Sequence, residues 1–189
     1  MVAKAFHNEI DWLEVLPNAL FVAIVLKKNY LGLQEYFSPQ SFGNSYLEKN
    51  LNSVFVKLTS DHIDKNGHVS EAGYLTVANL AYWKICEQVG LLKLYSKYKI
   101  SGIVFDTYME FKKEVFEGEE VMINLRFNIT NDTRKIVRLL EIYDRENRLV
   151  VKITSNGGFL DLEKRKIVEP PKKILDICLS RKLIISDVL

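Results

Sequence analysis

The residues whose types and spacing suit chemistry cluster in one short segment, Asp64-Lys65-Asn66-Gly67-His68-Val69. A carboxylate such as Asp64 attacks an electrophilic carbon directly or takes a proton from water. Asn66 and His68 follow it by two and four residues and offer an amide and an imidazole. The segment runs straight into a long apolar stretch headed by Ser70 and Glu71. As a helix, that stretch would be capped by the Ser70 hydroxyl, with the Glu71 charge in its first turn. A helix start also offers unpaired backbone N–H groups and a positive dipole end, which suit an oxyanion. Each residue has a plainer use as well. Asp64 can hold an Asx turn, Gly67 suits a positive φ, His68 can be a structural histidine, and Tyr74 a core side chain.

Several elements must position this loop. Residues 54–58 (VFVKL) form a short β-type run ahead of it. Behind it a helix is expected from Glu71 to Val89, stopping at Gly90, a suitable C′ residue. Its apolar residues cover most of the circumference, which predicts enclosure on several sides in the centre of a domain. Four strand-like segments follow. Residues 98–111 carry Ile103, Phe105, Met109 and Phe111 in one phase. Residues 119–129 alternate Val121, Ile123, Leu125, Phe127 and Ile129 against Met122, Asn124, Arg126 and Asn128. Residues 134–143 and 148–160 make a hairpin about a polar turn. Period-two runs joined by short polar turns indicate an antiparallel sheet with one buried face. The expected class is α+β, a long central helix wrapped by a five-stranded antiparallel sheet. Residues 172–189 form a weakly amphipathic C-terminal tail.

Composition narrows the partners. The 189 residues carry a formal net charge of +2, with 48% hydrophobic and 26% charged residues. That balance is ordinary for a globular chain, and the scattered basic residues give no nucleic-acid face. Residues 1–50 are slightly acidic and form an N-terminal extension, whose plainest role is packing on the main domain or on a second subunit. Within it, residues 10–26 read as a buried helix or strand and 38–46 as a connecting loop. The apolar run at 19–26 is too short for a membrane span, and Glu9, Asp11 and Glu14 precede it where a signal peptide needs positive charge. Cys86 and Cys178 show no metal-ligand spacing, and a reducing, cytoplasmic setting is expected.

In this order of elements, the Asp64–Val69 loop (D-x-x-G-H-V) followed by Tyr74-Leu75 resembles the 4-hydroxybenzoyl-CoA thioesterase-like branch of the hotdog superfamily. The likeness continues through Phe111-Lys112-Lys113, Gly118-Glu119 and Phe159-Leu160-Asp161-Leu162, over roughly residues 53–171. Asp64, Asn66 and His68 also follow the Asp-x-Asn-x-His spacing of plant acyl-ACP thioesterases. The resemblance implies a hotdog domain over residues 51–171 that hydrolyses acyl-CoA or acyl-ACP thioesters. It implies Asp64 as nucleophile or general base, His68 and Asn66 orienting it or a water, and backbone amides of Glu71 and Ala72 as oxyanion donors. Gly67, Tyr74, Lys112 and Lys113 become substrate-binding candidates. No metal or prosthetic group is implied, with CoA only as part of the substrate. A homodimer, or a dimer of dimers, is implied too, with sheets joined edge to edge; a small sheet with an open edge tends to pair. The chain departs from the family at Ser70-Glu71, where Asn-Asn is common, at His62, where an acid is frequent, and at Glu114, which replaces a proline. Two rivals remain. Hotdog enoyl-CoA hydratases space Asp and His one residue further apart than Asp64 and His68. Non-catalytic acyl-CoA-binding regulators carry a helix-turn-helix, which residues 1–50 do not resemble.

Overall fold

The computed structural model describes residues 51–184. The expectations for residues 1–50, the extension with its apolar run and loop, lie outside the described residues, as does the tail beyond 184.

Strand β1 (Ser53–Lys57) leads through a 3-10 turn at Ser60–His62 into α1 (Glu71–Gln88). Ser70 caps α1, its Oγ accepting from the Gly73 N–H at 2.9 Å. Gly90, with a φ of 85°, reverses the chain into a second helix, α2 (Leu91–Tyr98), which the sequence reading left unassigned. Then come β2 (Ile100–Phe111), β3 (Glu120–Ile129), β4 (Lys135–Tyr143) and β5 (Leu149–Asp161), each within two residues of its expected bounds. A short β6 (Lys166–Val168) and a helix α3 (Lys172–Ser180) close the described chain.

All strand pairs are antiparallel, in the order β1-β3-β4-β5-β2, so β1 and β2 are the edges of the main path. The sheet thus has the five long strands expected and a sixth short one. Strand β6 pairs Val168 with Phe159, extending the sheet along β5 just past the point where β4 stops at Lys135–Gly158. Beyond β1, the C-terminal segment takes a place beside β3, with Phe127 N–H donating to Leu183 O. Ile174, Cys178 and Leu183 join the same core as the sheet and α1. The tail region therefore packs into the domain up to the last described residue.

Two expectations change. Helix α1 buries Gly73, Tyr74, Val77, Ala78, Ala81, Tyr82, Ile85 and Cys86, a stripe of two neighbours per turn. Ala72, Thr76, Asn79 and Gln88 are exposed, because one curved sheet layer covers only one side of a helix. The second change is in β2. Val104 pairs with Gly157 and Asp106 with Asn156, so Phe105 is the extra residue of a bulge. A bulge shifts the two-residue phase. Met109 consequently packs on the core, while Ile103 and Phe105, expected in the same phase, do not share its face.

Candidate active site

The site begins with a buried histidine. His62 closes the 3-10 turn at 2% exposure, and its Nδ1 accepts from the Thr59 N–H at 3.0 Å. That bond places the proton of the neutral ring on Nε2. Burial pulls His62 below the usual histidine range, against the opposing pull of Asp61. Its carbonyl accepts from the Ser70 N–H at 2.9 Å and the Ser70 hydroxyl at 3.3 Å. Position 62, where the family often has an acid, is thus the platform on which the helix start rests.

Between His62 and Ser70 the chain makes a miniature hairpin. Ile63 bridges Val69, the Asp64 N–H donates to His68 O at 3.0 Å, and the Gly67 N–H donates to Asp64 O at 3.1 Å. Gly67 takes a φ of 84°, the left-handed region where a side chain would be strained. Asp64 Oδ1 accepts from the Asn66 N–H at 2.8 Å, and Oδ2 accepts from Asn66 Nδ2 at 3.1 Å. This is the Asx turn, and it fixes the carboxylate. His68 Nδ1 stands 4.0 Å from Asp64 Oδ1, close enough for charge but too far for a hydrogen bond. Both side chains are about one-third exposed, so the carboxylate is held yet reachable. The Val69 N–H donates to Val115 O at 3.0 Å, tying the hairpin to the segment between β2 and β3.

A helix start presents a few N–H groups without intrahelical partners. Here the Ser70 N–H goes to His62 O, the Gly73 N–H to Ser70 Oγ, and the Tyr74 N–H to Ser70 O. Glu71 and Ala72 are left over. Both are exposed, and their amides have no acceptor among the described residues. These are the two amides expected as oxyanion donors. Gly73 beside them is enforced by contact: a Cβ there would lie 2.3 Å from the His62 carbonyl oxygen.

One turn further, the Tyr74 hydroxyl donates to Lys113 O at 3.5 Å, and its ring lies 5.8 Å from that of Phe111. Burial pushes Tyr74 up to about 12, so it is a neutral phenol. Lys112 and Lys113 lie beyond the end of β2. Lys112 pairs with Glu110 at 3.1 Å on the exposed surface. Lys113 reaches the buried Asp144 at 2.6 Å, where Arg148 also binds at 2.8 Å. Burial alone would raise the Asp144 carboxyl, but Lys113 and Arg148 outweigh it and hold it well below the usual range. Lys113 is therefore committed to closing the β4–β5 turn against β2.

The structure brings Asp64, Asn66, Gly67 and His68 into one hairpin, with Glu71, Ala72 and Tyr74 on the helix that leaves it. The lysines sit apart, each with a carboxylate of its own. Sequence reasoning missed Gly73, although a glycine in the first turn of a helix signals a close approach. It noted His62 only as a departure. Among the described residues no cluster of three or more His, Cys, Asp or Glu side chains is placed to hold a metal, and no helix is long and apolar enough to cross a membrane.

Known structures share this architecture at low identity. The 1,4-dihydroxy-2-naphthoyl-CoA thioesterase of Synechocystis matches with a TM-score of 0.59 and 15% identity, over 69% of this chain and 96% of its own. A Staphylococcus aureus protein solved in complex with CoA matches with a TM-score of 0.62 and 15% identity, over 73% and 88%. The 12:0-ACP thioesterase of Umbellularia californica matches with a TM-score of 0.59 and 14% identity, over 72% of this chain and 54% of its own. Likeness at this level establishes the hotdog fold. No curated protein matches the sequence. The family profile described as the thioesterase-like superfamily matches residues 58–177, well over half of the chain and the whole of the hairpin and helix just described. The chain belongs to the thioesterase-like superfamily.

Proposed function

We propose that this chain hydrolyses an acyl-CoA or acyl-ACP thioester, with Asp64 as nucleophile or general base. The observation that carries the reading is the pair of open amides at Glu71 and Ala72, directly after a fixed, accessible carboxylate. In the base form, Asp64 takes a proton as water attacks the thioester carbon. The carbonyl oxygen becomes an oxyanion, which the amides and the helix dipole stabilise. Collapse of that intermediate breaks the C–S bond, and the proton on Asp64 passes to the leaving sulfur, which releases thiol and free acid and restores the carboxylate. Asn66 holds the carboxylate in the attacking orientation, and His68 lies near enough to position the water. The reaction needs no metal or prosthetic group, and CoA enters only as part of the substrate. The names of the Synechocystis, S. aureus and Umbellularia proteins support a CoA or ACP carrier for this chain as well.

The working form in this reading is a cytoplasmic homodimer joined at β2. That strand ends the main path of the sheet among the described residues, and it exposes the large apolar side chains Val104, Tyr108 and Phe111. Such an edge is stable in water when a second copy covers it.

The test is free-thiol release over a panel of acyl-CoA esters, wild type beside Asp64→Asn. Hydrolysis is expected, reduced at least ~100-fold by the substitution, as for loss of a base or nucleophile. Full activity in Asp64→Asn would remove Asp64 from the mechanism. One observation favours a second reading, a module that binds acyl-CoA without turnover: both Asp64 oxygens already accept from Asn66. CoA ester binding without thiol release across the whole panel would select it.

A further inference from the structure

Arg138 stands in β4 in the phase of Ile136, Leu140 and Ile142, all three members of the hydrophobic core. A charge in that phase is out of pattern. Its guanidinium carbon sits 5.0 Å from the Tyr82 ring centre, and Nη2 donates to Ser155 Oγ at 3.3 Å. Nε is buried and has no acceptor among the described residues. No carboxylate pairs with Arg138 among the described residues, and burial draws the guanidinium below its ordinary value. The contrast with Asp144, a buried charge answered by Lys113 and Arg148, is sharp. A desolvated charge with only a hydroxyl and a ring face for company destabilises a fold unless a counter-charge arrives.

The sheet register supplies an approach. Arg138 pairs with Ser155, and Ser155 with Thr107 on the edge strand β2. The Ser155 and Thr107 hydroxyls lie 3.0 Å apart, which makes a polar row from the exposed edge to Arg138. Arg138 as a whole residue is half-buried, while Nε itself is covered. Helix rise and strand rise set the distance of this row from Tyr74 and Phe111. Tyr82 lies about 12 Å along α1 from Tyr74, and Thr107 about 13 Å along β2 from Phe111.

We infer that Arg138, with Ser155 and Thr107, forms a binding position for a carboxylate. The planar fork presents Nε and Nη2 side by side, the geometry that grips a carboxylate through two bonds and that a lysine does not offer. Two sources fit this chemistry: a second acidic group at the far end of the acyl chain being hydrolysed, or a free carboxylic acid such as the released product. The first source rests on the hydrolase reading above.

The experiment compares sebacoyl-CoA with decanoyl-CoA, ten-carbon chains that differ only in a terminal carboxylate, in wild type, Arg138→Met and Arg138→Lys. In parallel, binding of free decanoate and of decanol is measured by titration calorimetry. If the acyl end is read, wild type prefers sebacoyl-CoA, and the kcat/KM ratio falls at least tenfold in Arg138→Met, with Arg138→Lys between. If free acid is the ligand, the ratio is flat, but decanoate binds wild type at least tenfold tighter than decanol and Arg138→Met loses that margin. A flat ratio together with equal binding of decanoate and decanol overturns the inference. Should no acyl-CoA be hydrolysed, the thioesterase reading falls, and the calorimetric arm still decides this one. If Arg138→Met does not fold, Arg138→Lys, which keeps the charge and removes the fork, carries the same comparisons.

Discussion

Two places along α1 handle polarity in opposite ways. At its start, nearly every polar group is answered locally: Asp64 by Asn66, Ser70 by His62, Gly73 by Ser70. Among the described residues the amides of Glu71 and Ala72 have no acceptor, and both residues are exposed. About three turns on, Arg138 lies over Tyr82 with a buried Nε unanswered among the described residues. The first region is finished and presents a site at the surface. The second carries a deficit inside, which a compact fold tolerates when a ligand supplies the missing partner. Unsatisfied groups point to function only when measured against how well their neighbours are satisfied.

Substitutions press on this contrast from both sides. The largest stability effect is expected for Asp144→Ala, which removes the buried acceptor of Lys113, Arg148 and the Glu146 amide beside the finished end; chemical denaturation should show a loss of about 2 kcal/mol at neutral pH. The sign with pH follows from the depressed carboxyl. Its contribution is present above the unfolded aspartate value of about 4 and is lost as pH falls through the lower folded value, so the variant should lack that acid-side share of the wild-type slope. Gly73→Ala comes next. A helix interior normally gains up to about 1 kcal/mol from this change, but the clash with the His62 carbonyl is worth about 1–3 kcal/mol. A net loss is expected, with thiol release falling as the Glu71 and Ala72 amides shift; a stabilised, fully active variant would refute the close seating of the helix. Ser70→Ala should cost about 1 kcal/mol through the lost cap, read as a lower melting temperature. Smallest of all is Arg138→Met, for which stability should stay level or rise, since an uncompensated charge is removed. A loss beyond about 1 kcal/mol there would erase the contrast and make Arg138 a structural residue.

The first region was legible in the sequence because it is local. Residues Asp64 to Tyr74 form one unbroken segment, and capping and turn chemistry act over two to four residues. The strands were legible through their alternation, and α1 through its apolar length. The Arg138 position draws on α1, β2, β4 and β5, which no spacing rule joins. Even so, a signal was present: arginine occupies the apolar phase of residues 136–142, the kind of exception that marks a site. The bulge at Phe105 left no signal, because Phe105 continues the alternation that the backbone breaks. Helix α2 was readable, with Leu91, Tyr95 and Tyr98 at helical spacing, but it is only two turns long and follows a glycine stop. Strand β6 is three residues long, below what periodicity resolves.

The turn at Asn66-Gly67 also gives the protein a chemical age. Gly67 has no side chain to shield its backbone nitrogen, and Asn66 is exposed, the setting in which an asparagine carboxamide is slowly attacked by the next nitrogen and sheds ammonia. The product places a second carboxylate, or a rerouted backbone, where the Asn66 amide now steadies Asp64. Old preparations would then lose the orientation of Asp64 before they lose their fold.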